Sequence, residues 1–372
     1  MNSSRLDHHL VMSTFKSVSE SKVSDHLSPA NPLINNEVYN KFVICALPFI
    51  QFFNVIGIIT NIITIIVFAK LGRAESTNIS FQALGICDLI LSVLSFWTYT
   101  NSTLRLSKID VPFDTSTVHI LTGTALWNFV VRWGALITAY ISLERCLCVL
   151  KPLKVRRILT PKVTTVAVMV MFVFTVGPAV YLHFKYKFVW KSIPNQNDTI
   201  LGISVIKSQA VILFGTFVNI FAGLTQPITA FVLVVICTVY LGIYLGRASA
   251  WRRGATSAGT SGAETTAGKG SQKEAATSQK ENRVLRMVVS IAVVFIICVT
   301  PSTIHMFTLG IFQKVSFDPK YRNFLNTLFI SSSLGSSINT SVNIFIYYRM
   351  GSRYKAVFRQ LFCIVNKDSP KK

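Results

Sequence analysis

Seven mostly apolar stretches run through this 372-residue chain, each reaching the roughly 20 residues a helix needs to cross a bilayer core. They lie at Lys41–Phe68, Ser76–Tyr99, His119–Cys146, Val163–His183, Gln209–Leu245, Leu285–Leu309 and Phe324–Tyr348. Lipid offers the backbone no hydrogen-bond partner, so each stretch must satisfy its own amides as a helix. Composition agrees. Hydrophobic residues make up 51% and charged residues 14%, against roughly 25% charged in a soluble domain, too little to coat a soluble surface. The fifth stretch is long, and Gly223 and Pro227 raise the alternative of two short passes. One kinked helix is the better reading, because no polar turn interrupts the run and membrane helices tolerate proline. The expected fold class is all-α: a seven-transmembrane bundle with a short amphipathic cytoplasmic helix after the last span.

The basic balance, net +22, sits in short segments between apolar runs. It therefore reads as orientation and attraction to anionic lipid rather than nucleic-acid binding. Of the 37 Lys and Arg, 23 fall on the side holding the Lys70–Glu75 loop, the Arg145–Lys162 loop, the Arg247–Arg286 loop and the C-terminal tail; 13 fall on the other side and Arg132 lies within a span. The positive-inside rule puts the C-terminus in the cytoplasm and the N-terminus outside, at the plasma membrane. Residues 1–40 are then an extracellular tail without an apolar signal sequence. The span region covers 41–348, and 349–372 form the cytoplasmic helix and tail. Residues 248–282, rich in Gly, Ala, Ser and Thr, are expected to be a flexible third cytoplasmic loop. Sequons at Asn2, Asn101 and Asn197 fall outside and are candidate glycosylation sites, while those at Asn78 and Asn339 fall in or beside spans. Six His and seven Cys are too scattered for a metal site or a disulfide framework.

Polar groups inside spans are costly and by default mark function. Here they are Asn61, Asp88, Arg132, Glu144, Arg145, Asn339 and Asn343, with Pro178, Pro227 and Pro301 as helix distorters. Their order carries a resemblance. Asn61 lies in Ile-Ile-Thr-Asn-Ile-Ile and Asp88 in Leu-Gly-Ile-Cys-Asp-Leu. Glu144-Arg145-Cys146 stands at the end of the third span. Pro227 is in the fifth span and Phe295 lies six residues before Pro301 in the sixth. Asn339-Thr-Ser-Val-Asn343-Ile-Phe-Ile-Tyr347 is in the seventh. This set resembles the rhodopsin-like (class A) G-protein-coupled receptors from about Lys41 to Cys363. The Glu-Arg-Cys-Leu-Cys and Ser-Val-Asn-Ile-Phe-Ile-Tyr-Tyr stretches are most similar to invertebrate chemosensory and neuropeptide receptors.

The resemblance implies a receptor for an extracellular peptide or small-molecule ligand that activates a heterotrimeric G protein, and no enzymatic activity. It implies an activation network of Asn61, Asp88, Glu144, Arg145, Glu281, Phe295, Pro301, Asn339, Asn343 and Tyr347. In it Arg145 pairs with Glu144 and latches to Glu281, and Asp88 is a possible sodium site. Arg145, Lys154, Arg156 and Arg157 are the implied G-protein surface. Trp127 lies 18 residues before Arg145, five helical turns, so both face the bundle interior at opposite ends. An amine receptor would carry Asp at Trp127, and an opsin would carry Lys at Ser337. The missing Asp speaks against a protonated amine as the ligand, and the missing Lys excludes an opsin. Arg132 lies about 20 Å along the axis from Arg145, beside Trp127 and Asn128. With no acid evident at that depth, an anionic ligand group is expected to meet it; the alternative is an Arg snorkelling to carbonyls or water. His305 completes the ligand-binding candidates. Arg349, Arg353 and Lys355 alternate with Tyr354, Val357, Phe358, Leu361 and Phe362 in the pattern of a helix lying on the inner leaflet, and Cys363 is a palmitoylation candidate.

The chain departs from the pattern in four places. Ile120 stands where the family has a disulfide cysteine and the loop Phe184–Lys207 has none, so no extracellular disulfide is expected. The sixth span reads Cys298-Val299-Thr300-Pro301 without the usual Trp, Ile344 replaces a seventh-span Pro, and Val168 replaces a fourth-span Trp. A signalling-silent decoy receptor is the alternative these changes raise. A channel or transporter would need a polar file or paired broken helices, and neither is evident.

Overall fold

A computed structural model describes residues 32–106, 122–123, 125–192, 199–206, 208–258, 269–311 and 318–362. Seven long helical segments cross one another in an all-α bundle. The first is Asn36–Leu71, the second Ser76–Leu106 and the third Ala125–Leu150. The fourth is Pro161–Val176, continued through a 3-10 turn at Gly177–Val180 into Tyr181–Lys185. Pro178 sits in that turn, where it removes an amide from the helical ladder. The sixth is Lys269–Ile311 and the seventh Arg322–Met350. The ring closes because the first helix packs on both the second and the seventh, while the third packs on the second, fourth and fifth.

The fifth helix settles the alternative of two passes. It runs as Gln209–Val218, a π-turn at Asn219–Thr225 and Gln226–Ala258 without leaving the bundle. Pro227 cannot donate to the ladder, and one extra residue per turn absorbs the mismatch. The Gln226 amide reaches back to the Phe221 carbonyl, and the Thr225 hydroxyl donates to the Ile220 carbonyl at 3.1 Å. The result is one bent helix.

Five of the segments are long and apolar enough to span a membrane by length and hydropathy alone; the fourth is a shorter apolar helix and the seventh is less apolar. The reason for the seventh is chemical. Ser332, Ser333, Ser337, Thr340 and Ser341 stud it, and each returns its hydroxyl proton to a carbonyl three or four residues back. Packing between the first and sixth helices shields the remaining polarity. Large apolar side chains face outward elsewhere, among them Phe49, Phe52, Ile59 and Ile66 on the first helix. That inside-out pattern is what lipid, not water, stabilises.

The stretch expected as a flexible loop is largely helical. The fifth helix persists to Ala258 and the sixth begins at Lys269, so only 259–268 lie outside the described residues. Once a helix is nucleated in the bundle, each further residue costs little, and the Ala, Gln, Glu and Lys of 271–281 are good helix formers. After the seventh helix, Gly351 breaks the chain and Ser352–Phe362 forms the expected amphipathic helix. A second short helix, Pro152–Ile158, follows the third. Between the fourth and fifth helices, β1 (Tyr186–Ser192) pairs antiparallel with β2 (Thr199–Val205). This hairpin is absent from the sequence reading, and it marks the end of the bundle opposite the tail helix.

The sixth and seventh helices touch at Gly335, where an added Cβ would fall on the Cys298 backbone carbonyl. Gly335→Val therefore forces the backbones apart one turn from Pro301. We expect loss of most surface expression, measured by flow cytometry of an epitope-tagged receptor, whereas Gly242→Val, where nothing lies within 4 Å, keeps it.

Candidate functional site: a polar core joining two ends of the bundle

Midway through the bundle, Asp88 is buried and accepts a hydrogen bond at 2.8 Å from the Asn343 side-chain amide. The second and seventh helices are thereby tied by the polar groups the sequence marks. Asn61 is not bonded to Asp88. Its amide donates to the Gly57 and Thr340 carbonyls, both at 2.8 Å. The link runs through Ser92, which donates to the Asp88 carbonyl at 2.8 Å and to the Thr340 hydroxyl at 3.2 Å. Asn343 Oδ1, Asn339 Oδ1 and the Tyr347 hydroxyl are buried without hydrogen-bond partners. Orphaned groups of this kind are costly unless water or an ion completes them. One carboxylate with neutral oxygens nearby is a donor set that fits a small hard cation or water.

Towards the tail end, Tyr347 is enclosed by rings. Phe68 and Phe81 lie 5.2 Å from it, centroid to centroid, and Tyr354 of the tail helix 5.6 Å. Tyr354 also shares a 3.3 Å hydrogen bond with Thr64. Burial pushes its phenol up to about 12, against the opposing pull of that hydrogen bond, so it stays neutral at physiological pH. The tail helix is thus plugged into the core by a ring rather than merely laid beside it.

The third helix ends in a clamp. Glu144 is 2% exposed, and its carboxylate accepts from Ser76 at 2.6 Å, from Ser80 at 3.5 Å and from the Arg145 guanidinium at 2.6 Å. Arg145 also donates to the Thr77 hydroxyl. Every described partner of the pair outside the third helix belongs to the second. The backbone of Glu281 is helical, but its side chain lies outside the described residues, so the described latch is Arg145 with Glu144 and Thr77. Lys154 and Arg157 are exposed beside this end, as a protein-facing surface requires, and the Arg156 side chain lies outside the described residues. Arg353 of the tail helix pairs with Glu75; being exposed, that pair contributes under ~1 kcal/mol.

At the hairpin end, Trp127 meets Phe329 edge-on at 6.3 Å, and His305 lies 5.9 Å from the same ring. Three helices therefore converge on Phe329, which the sequence reading missed because a lone Phe in an apolar run carries no signal. His305 is 2% exposed and its Nε2 has no partner. Asn128 is half-buried nearby. Arg132 lies over the Phe129 ring, 5.2 Å from its centroid, and has no acidic partner among the described residues. Its guanidinium reaches the π-turn of the fifth helix, where a Cβ on Gly223 would be 3.7 Å from Nη2. Further in, Phe295 packs with Ala135, Ala139, Ala230, Val234 and Ala292, and Pro301 lies inside the sixth helix.

One glycosylation candidate needs correction. Asn101 is inside the second helix, buried, and its amide donates to the Trp97 carbonyl at 2.9 Å. The helix runs two turns past the expected span end and carries the sequon with it, so the side chain is not presented. Asn101→Gln is expected to leave the electrophoretic shift on deglycosylation unchanged. Asn2 and Asn197, and the palmitoylation candidate Cys363, lie outside the described residues. Among the described residues, the cysteines at 45, 87, 146, 148, 237 and 298 form no disulfide.

No curated protein matches the chain significantly. The family profile for "7 transmembrane receptor (rhodopsin family)" matches residues 60–347. That match begins beside Asn61 and ends at Tyr347, enclosing the buried polar core just described. A membrane-spanning all-α bundle, a family match over most of its length and this core lead to one conclusion: the chain belongs to the rhodopsin family of seven-transmembrane receptors.

Proposed function

We propose that the chain is a G-protein-coupled receptor of the chemosensory or neuropeptide kind, with its N-terminus outside and its tail helix on the cytoplasmic leaflet. Its ligand is a peptide or small molecule bearing an anionic group. The observation that carries this is Arg132: a cation inside the bundle, without an acidic partner among the described residues, facing a glycine. A cation at that depth must be compensated, and an anionic ligand group would supply the compensation.

The neighbouring side chain supports the reading. Gln226 is 6% exposed and neither atom of its amide has a partner. Ala230 of the fifth helix shares a buried cluster with Ala135 of the third. One turn from that contact, in the direction of the hairpin, stand Gln226 and Arg132. A carboxylate entering at Gly223 would accept from the guanidinium and the Gln226 amide together, which is a charge-assisted arrangement. Trp127, Asn128, His305 and Phe329 then line the rest of the ligand's seat.

The tail end supplies the response. Arg145 is held by Glu144 and Thr77 in the resting state, and its release towards Lys154, Arg156 and Arg157 forms the G-protein surface. The Asp88 core joins the two ends as a bistable element; a sodium ion held by Asp88, Asn339 and Asn343 would supply positive charge there in the resting state. Glycans at Asn2 and Asn197 and an acyl chain on Cys363 complete the reading.

The test is guanine-nucleotide exchange by purified G proteins with the reconstituted receptor, challenged with a panel of carboxylic acids, acidic peptides and their amides. Exchange driven by acids and not by the matching amides is expected. Thermal stabilisation by an acid with no exchange on any G protein would replace this reading with a decoy receptor.

A further inference from the structure

The β1–β2 hairpin is joined to the bundle by no cysteine, yet it is an ordered two-stranded element with two unlike faces. Side chains alternate across a strand. Tyr186, Phe188 and Trp190 therefore share one face, paired with Val205, Ile203 and Leu201. Lys187 and Val189 share the other. The apolar face is left open: Phe188 is 62% and Trp190 70% exposed. Open aromatic surface is unfavourable in water, and an isolated hairpin is marginal at best.

The open face has a continuation. The two helices that the hairpin connects both turn apolar side chains outward, with Val166, Val170 and Val173 on the fourth and Phe214 and Phe217 on the fifth. These strips face the bilayer in a membrane-spanning bundle. Phe184, 64% exposed, stands where the fourth strip passes into β1. The hairpin itself packs on the short helix it leaves, Tyr181–Lys185.

We infer that the aromatic face of the hairpin lies in the headgroup region of the adjacent leaflet, anchored by Phe188 and Trp190, with Lys187 turned to water and lipid phosphate. Tryptophan and tyrosine rings prefer that depth, where an apolar body meets a wet edge. Lysine stems lie along it while their ammonium groups reach out. The occupant of the open face is lipid, because the face prolongs two strips that already meet lipid. Lipid then holds the loop beside the bundle mouth, open to a ligand, without a covalent tether.

The experiment uses the full chain reconstituted in bilayers of ordinary phosphatidylcholine and of phosphatidylcholine brominated high on its acyl chains. Wild type minus Trp190→Phe gives the emission of Trp190 alone, and Trp190→Tyr gives an independent subtraction if the first variant expresses poorly. We expect this emission to lose most of its intensity in brominated bilayers and to resist aqueous iodide. Quenching by iodide with no effect of bromine places the ring in water and overturns the inference. Protection that varies with receptor density, or appears only with added ligand, assigns the face to a second copy or to ligand and equally overturns it.

Discussion

Arg132→Ala is expected to shift the concentration of an acidic ligand needed for half-maximal G-protein activation upward by about 10- to 150-fold, the equivalent of ~1.5–3 kcal/mol for a hydrogen bond to a charged group. Surface expression should hold or rise, because removing an unpaired cation relieves the bundle of a burial cost. Arg132→Lys should recover only part of the loss. Lysine keeps the charge but not the planar fork that holds a carboxylate with two parallel hydrogen bonds. Gly223→Val, which fills the space before the guanidinium, should mimic Arg132→Ala in potency. Binding of a radiolabelled acid on intact cells checks all three, and unchanged potency of Arg132→Ala at normal expression would remove Arg132 from the ligand site.

Glu144→Ala is expected to raise ligand-independent nucleotide exchange by about 100-fold, or to the ceiling set by full activation if that is reached first. Glu144 gathers Ser76, Ser80 and Arg145 on one carboxylate. Removing it leaves the Arg145 guanidinium, 14% exposed, without its counter-charge. Breaking a buried pair in this way costs about 3–5 kcal/mol. That cost falls on the resting arrangement alone if activation already frees Arg145, so the population moves towards the active state. Each 1.4 kcal/mol of differential is about tenfold in population. Thr77→Val should act in the same direction and more weakly, since it removes one neutral acceptor. Basal exchange equal to wild type in both variants would show that the clamp is structural only.

Much of the fold was open to reading in the chain, and the reasons differ by element. Spans one, two, three, five and six announce themselves by length and apolarity. The seventh meets the length criterion with a weaker apolar signal, because its many serines lower its hydropathy while hiding their polarity in hydrogen bonds to their own backbone. The continuous fifth helix was inferred correctly from the absence of a polar turn, but the π-turn that permits it depends on backbone geometry around Pro227, which composition does not encode. The hairpin went unread since Phe188 and Trp190 alternate over too few residues to stand out beside apolar spans. The expected loop at 248–282 was misjudged at both ends because helix propagation from a packed span overrides weak local propensity.

The polar core shows the same division. Asp88, Asn343 and Tyr347 are conspicuous as costly residues in spans, and the structure places the first two in contact. Ser92 and Thr340 complete the connection to Asn61, yet a span serine or threonine usually bonds its own helix and gives no sign of a partner. Tyr354 is similar. On the helical periodicity it belongs to a lipid-facing row, and only the turn at Gly351 swings it against Phe68 and Tyr347. Contacts created by a turn lie beyond what residue spacing alone reveals.

The receptor reading requires ligand and transducer to act on opposite sides of the membrane, and differential epitope staining tests that most directly. A tag before Met1 should be stained on intact cells, and a tag after Lys372 only after the membrane is permeabilised. Both tags stained on intact cells, or neither, would mean an even number of crossings and would contradict the account.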